Sequence, residues 1–217
     1  MEQNRHYALW LTGIIAAVFA LQVIFPALTY NFRLVSADVW SRSWTLLTAI
    51  FLHGSIVHLL YNGFGLAVFG SILEETVGSR RFLAIFFITG LVSSIASTFF
   101  YNSVIGASGA IFGIMGAVTV LHPTMTVWVY YIPMPMYLAA VVWAVVDMFG
   151  FIVPTGIANA GHLAGLAAGI AAGFVIRGRK PVRLRAWGFG RKSSFVTAEE
   201  FDEWEKENMG KKQTGKK

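Results

Sequence analysis

The sequence predicts an all-α fold, a polytopic membrane protein built as a bundle of six transmembrane helices. Three observations predict it. Of 217 residues, 56% are hydrophobic and only 13% are charged, about half the charge of an ordinary soluble domain. Apolar runs close to the roughly 20 residues that cross a bilayer recur along the chain. Apart from Asp147, the charges lie outside these runs.

The first run, Tyr7 to Leu28, is too long for a signal-peptide core and lacks a small-x-small cleavage site, so a retained first span is expected over 7–28. The second and third spans are expected over 55–73 and 82–101. Asn102 and Ser103 then separate the third span from a fourth, over 107–121, which His122-Pro123 ends. Pro133 and Pro135 set the start of the fifth, 136–152, because a proline inside a helix loses a hydrogen bond and clashes with the preceding turn. Thr124 to Met134 is expected to run along the membrane interface, with Trp128, Tyr130 and Tyr131 at headgroup depth. Pro154 and Gly156 separate the fifth span from the sixth, 158–176.

Residues 1–177 thus form a membrane domain and residues 178–217 a polar tail. In the tail, Arg179, Lys180, Arg183 and Arg185 form a basic cluster suited to anionic lipid headgroups. Thr197-Ala-Glu-Glu200 has the pattern of a capping box opening a short acidic helix. An even number of spans puts both termini on one side. Of the 17 basic residues, 15 fall on that side, and only Arg33 and Arg42 on the other. The positive-inside rule makes the termini cytoplasmic.

The charge distribution also excludes a class. A formal charge of +6 invites a nucleic-acid partner, but most of the basic residues follow the last span and form no binding face. The expected partners are membrane lipids and membrane proteins, with no nucleic acid. With no cysteine there is no thiol nucleophile and no thiolate metal site.

Ionisable and polar groups are costly inside a bilayer, so each one raises a functional question. The set is short: His53, His58, Asn62, Ser108, Asp147 and His162. The second, fourth and sixth spans all start on the outer side. His53 and His58, Ser108, and His162 lie at or near those starts. The fourth span is only about 22 Å long at 1.5 Å per residue, against about 30 Å of hydrocarbon. Ser108 therefore lies below the outer surface, behind a loop that must dip into the membrane beside protein or a water-filled cavity.

Helix packing points to the same pair. Glycines 161, 165, 169 and 173 repeat every four residues, with alanines 160, 164, 168 and 172 beside them. Gly109 and Gly113, with Gly116 below, form a matching ladder in the fourth span. Small residues at this spacing let helix backbones approach closely. Pairing the ladders sets His162 beside Ser108. A serine hydroxyl needs a base to become a nucleophile, and neutral histidine is the usual base near pH 7. The resulting oxyanion needs fixed donors. Free N–H groups at a helix start can supply them, as can His58 and Asn62, one helical turn apart on the same face.

These residues resemble the rhomboid family of intramembrane serine proteases. The match rests on Gly106-Ala-Ser108-Gly109, on His53-x4-His58-x3-Asn62, and on Ala160-Gly161-His162-x2-Gly165-x3-Gly169. The resemblance implies a catalytic dyad of Ser108 and His162 that cleaves transmembrane segments near the outer surface, with no metal and no cofactor. It implies an oxyanion hole made by the Ser108 N–H, His58 and Asn62. It places Phe112 against the catalytic histidine, makes Glu74 a structural acid, and makes the region from Met136 to Ile157 a gate. Where many members carry Trp-Arg, this chain has Trp44-Thr45, with Arg42 as a candidate substitute.

Other readings attach to single residues. His53 is expected to be structural, holding the first loop by hydrogen bonds, and His122 to be interfacial. Asp147 is the rival third member of a triad. Its position at the outer end of the fifth span, beside a mobile loop, argues for a bystander, and Asp147→Asn is expected to keep substantial activity. Zinc held by His53, His58 and His162 is disfavoured, because a spacing of five does not share a helical face and H-E-x-x-H is absent. The remaining alternatives are a non-proteolytic, rhomboid-like scaffold that binds membrane proteins, and a small transporter.

Overall fold

The structure is a computed structural model that describes residues 6–129, 131–153 and 156–178. The tail, with its basic cluster and capping box, lies outside the described residues. Among the described residues, four helices are long and apolar enough to cross a membrane: α1 (Tyr7–Ile24), the continuous helix over Ile56–Val77, α6 (Ser79–Thr98) and α9 (Asn159–Arg177). Within Ile56–Val77, a π-helical turn at Leu66–Gly70 joins α4 (Ile56–Gly65) to α5 (Ser71–Val77). Two shorter apolar helices, α7 (Ser108–Leu121) and α8 (Met136–Ile152), complete the set. The short α2 (Ala27–Phe32) and α3 (Thr45–Thr48) lie in the loop after α1.

The first helix stops at Ile24 rather than Leu28. Pro26 has no N–H to continue the ladder, and α2 restarts directly after it. The segment after α7, expected to run along the membrane interface, has a regular structure of its own. It is a β-hairpin, β3 (Thr126–Val129) against β4 (Ile132–Pro135), with Val129 opposite Ile132. Val127 and Val129 are buried while Trp128 is exposed, the alternation of a half-buried strand. Tyr131, at the turn, adopts a left-handed φ of 68°. A second ladder pairs β1 (Leu34–Val35) with β2 (Ser103–Val104) and ties the first loop to the segment leading into Ser108.

The packing centre is α7. Eleven of its 14 residues are buried, so its length of about 21 Å need not match the bilayer. Its ladder meets that of α9 along a seam too tight for any side chain. A Cβ on Gly165 would lie 2.1 Å from the Gly109 carbonyl oxygen, and one on Gly169 would lie 1.8 Å from that of Gly113. α6 packs against both α7 and α9 along this seam. There, Thr89 and Ser93 occupy the space that a Cβ on Gly113 or Gly109 would need.

The loops are held by polar groups from distant parts of the chain. Glu74 at the end of α5 accepts from the Tyr7 and Ala8 N–H groups (3.0 and 2.9 Å) and from the Ser79 hydroxyl (2.6 Å). It thereby satisfies the otherwise free first turn of α1, where a negative charge is also favoured by the helix dipole. In the first loop, the Arg42 guanidinium donates to the Asn31 carbonyl, and the Ser36 hydroxyl to that of Tyr101. Thr45, buried, donates to the Arg42 carbonyl at 2.6 Å. Arg42 thus makes a tie within the loop that Trp44-Thr45 does not supply through a guanidinium.

Candidate active site

Ser108 is the first residue of α7, reached through a turn that only glycine fits. Gly106 has a φ of 126°, and a Cβ there would lie 2.7 Å from Cε1 of His58. Its N–H donates to the Ala49 carbonyl at 2.9 Å, and β2 pins the residues before it. The opening stretch of small residues therefore turns sharply and presents a hydroxyl at a helix start. There, the first-turn N–H groups have no acceptor within the helix.

His162 lies in the first turn of α9. That turn is held by the Tyr101 hydroxyl, which accepts from the Ala160 N–H at 3.0 Å. The imidazole stacks on Phe112, with centroids 4.5 Å apart and planes 12° from parallel. Its Nε2 lies 2.7 Å from the Ser108 hydroxyl. The small-residue seam between α7 and α9 is what allows this contact, since any wider spacing of the backbones would part the two side chains.

Asp147, expected from its position to stand apart from the pair, is in contact with His162. It is buried on α8, and its Oδ1 lies 2.9 Å from Nδ1 of His162. The same oxygen accepts from the Asn159 amide at 2.6 Å. Asp147 near the end of α8 and Asn159 and His162 at the start of α9 thus meet at one depth. Asn159 in turn packs against Gly150, where a Cβ would lie 2.7 Å from the amide nitrogen.

His58 and Asn62 stand on α4, whose start is capped by the Ser55 hydroxyl accepting from the His58 N–H (3.1 Å). The Gly54 N–H donates to His58 Nδ1 at 3.4 Å. That acceptor role leaves the ring proton on Nε2, the nitrogen that faces the Gly106 turn. Asn62 is buried and donates to the His58 carbonyl at 2.8 Å. In this resting arrangement its amide is engaged within its own helix.

The loop around His53 is held differently from expectation. The ties run through its backbone: its N–H donates to Gln22 Oε1 (3.0 Å) and its carbonyl accepts from Gln22 Nε2 (3.2 Å). The ring is buried edge-on to His58, with centroids 5.0 Å apart. Burial, with His58 beside it, lowers its pKa to about 4, so it is neutral near pH 7. His122 caps the far end of α7, its Nε2 2.7 Å from the Thr76 hydroxyl, and burial lowers its pKa as well.

A polar cavity of about 20 Å³ opens beside the serine, lined by Ser93, Ser94, Ser97, Gly106, Ser108 and His162. A space of that size and polarity can hold a water molecule. The reading of single motifs missed Asn159, Tyr101 and Gln22, and gave Asp147 only as a rival third member of a triad. The signal for Asp147 was its place, about as far before the Pro154–Gly156 break as His162 lies after it. The serines and threonine of α6, spaced by four at 89, 93 and 97, marked the third wall of the seam.

Comparison with known proteins gives the family. The 33% identity to RHOMBOID-like protein 6, mitochondrial, of Arabidopsis thaliana extends over 63% of this chain and 44% of that protein. Rhomboid protease GluP of Bacillus subtilis is 38% identical over 63% of this chain and 26% of its own length. Rhomboid protease GlpG of Klebsiella pneumoniae is 29% identical over 77% of this chain and 62% of its own length. The chain thus spans less than two thirds of each of these relatives. The family model described as the Rhomboid domain matches residues 41–179, which include the serine, both histidine motifs and the glycine ladders. The chain belongs to the rhomboid family.

Proposed function

We propose that the protein is an intramembrane serine endopeptidase that cleaves transmembrane segments of membrane proteins near the outer surface. The observation that carries this is the 2.7 Å contact between Ser108 and His162 at the head of the α7–α9 seam. Its two relatives named as rhomboid proteases support the same reading. Ser108 Oγ attacks the scissile carbonyl carbon while its proton passes to Nε2 of His162. The oxyanion is met by the Ser108 N–H and by His58 and Asn62. Collapse of the adduct breaks the C–N bond, and His162 returns the proton to the leaving amine. Water from the adjoining cavity then hydrolyses the acyl ester, with His162 again acting as base. No step asks for a metal or cofactor.

The test is a serine-reactive fluorophosphonate together with cleavage of a membrane-spanning peptide in micelles. A non-proteolytic scaffold would do neither, and a transporter would move solute in vesicles without cutting peptide. Asn62 must turn its amide from the His58 carbonyl to reach the oxyanion. Asn62→Ala is expected to lower kcat by about 10²-fold and leave measurable activity. An unchanged kcat would remove Asn62 from the oxyanion hole.

We further infer six spans, with α7 and α8 completing the crossing, and both termini cytoplasmic. The distribution of basic residues supports this orientation. Because the chain has no cysteine, single introduced thiols report sidedness without background. In intact cells, Ser41→Cys should react with a membrane-impermeant maleimide and Gln213→Cys should not. The reverse pattern would invert the topology.

A further inference from the structure

We propose that Asp147 is a positioning residue that holds His162 in the one tautomer able to accept a proton from Ser108. The inference rests on the reading of Ser108 and His162 as the reacting pair, and it deepens that reading. Its basis is a chain of contacts across three helices. Asn159 Nδ2 donates to Asp147 Oδ1 at 2.6 Å, the same oxygen meets His162 Nδ1 at 2.9 Å, and Nε2 meets Ser108 Oγ at 2.7 Å.

The direction of each bond follows from donor and acceptor identity. As a carboxylate, Asp147 is acceptor-only and has no proton to give to His162. Nδ1 must therefore be the donor in the Asp147 contact. In a neutral imidazole the other nitrogen is then a bare acceptor. Nε2 consequently faces the serine with its lone pair free, as a general base requires.

Orientation is fixed at the same time. Stacking on Phe112 sets the ring plane but leaves rotation within that plane, and exchange of the two nitrogens, less constrained. A bond at Nδ1 removes that freedom. Once the proton has crossed to Nε2, the acceptor at Nδ1 also stabilises the imidazolium, because hydrogen bonds with an ionised partner are about twice as strong as neutral ones. Asp147 touches neither substrate nor the reacting atoms, so its action passes through His162. The Gly150–Asn159 approach shows that the surroundings are built around this contact: a side chain at residue 150 would displace the amide that orients the acid.

The test is Asp147→Asn, which keeps the shape and one acceptor oxygen but adds an amide able to donate to Nδ1. Expected is a fall in kcat of at least about tenfold, with KM within twofold and a similar unfolding temperature. A role limited to tying α8 to α9 would instead raise KM or lower stability at an unchanged kcat, which would overturn the proposal. A second measurement does not depend on turnover. In protein labelled with ¹⁵N-histidine in micelles, the Nδ1-bound proton of His162 should resonate far downfield. That signal should persist in Ser108→Ala and vanish or move strongly upfield in Asp147→Asn. Should the unmodified protein cleave nothing, the protease reading falls and the resonance alone decides the tautomer. An unmoved resonance in Asp147→Asn ends the proposal even if cleavage is confirmed.

Discussion

Replacing Ser108 with alanine should abolish fluorophosphonate labelling and lower cleavage of a membrane-spanning peptide by at least about 10⁴-fold. Among the described residues, no other hydroxyl meets His162 Nε2. Ser93 and Ser97 stand on α6 against Gly109 and Gly161, and neither is the hydroxyl that meets His162 Nε2. His162→Ala should approach the same floor. The double variant should be no worse than either single one, because two groups acting as a unit lose their effect together. The unfolding temperature of Ser108→Ala should stay near that of the parent protein, since Ser108 contributes little packing bulk. Retained labelling in Ser108→Ala would transfer the nucleophile to another residue. Additive losses in the double variant would argue that the two side chains act separately.

The largest expected effect on stability comes from Gly169→Val. The valine Cβ would stand 1.8 Å from the Gly113 carbonyl oxygen and 2.6 Å from its carbon. These are backbone atoms inside a helix, so no rotamer change relieves the overlap and the two helices must part. Overpacking that flexible side chains can absorb typically costs about 1–3 kcal/mol, and a clash that backbone cannot escape should exceed that range. The variant should lose most of its thermal unfolding transition in micelles. Any folded remainder should cleave poorly, because separating α7 from α9 also separates Ser108 from His162. Gly13→Ala is the matched control. Nothing lies within 4 Å of a Cβ at Gly13, and alanine suits a helix interior better than glycine by roughly 0.5–1 kcal/mol. Equal behaviour of the two variants would mean that the seam is not what holds the bundle together.

Both predictions draw on features that periodicity makes visible. A glycine every fourth residue marks one helical face, and two such faces in one membrane chain can approach each other in only a few ways. Spacing also placed His58 and Asn62 on one turn, while the place of Phe112 against the imidazole was implied by the family resemblance. The hairpin over Thr126–Pro135 was less legible. Its Val-Trp-Val alternation is short, and the two prolines said only that no helix ran there. Whether such a segment lies flat or pairs with itself depends on the chain reversal at Tyr131, which adopts a left-handed φ although nothing about a tyrosine announces one.

By itself the sequence determined that this is a membrane protein, where its apolar helices fall, and that a serine and a histidine crown two matching small-residue ladders. These follow from composition and from a repeat of about four residues, both local properties of the chain. Tertiary structure alone decided which distant polar groups answer one another. Glu74 caps a helix 67 residues before it, Gln22 holds the loop at His53, and Asp147 reaches the far nitrogen of His162. Such pairings leave no spacing rule in the chain. Each depends on where a packed bundle brings unrelated helix ends to one depth, and burial there makes an unmet hydrogen-bonding group costly.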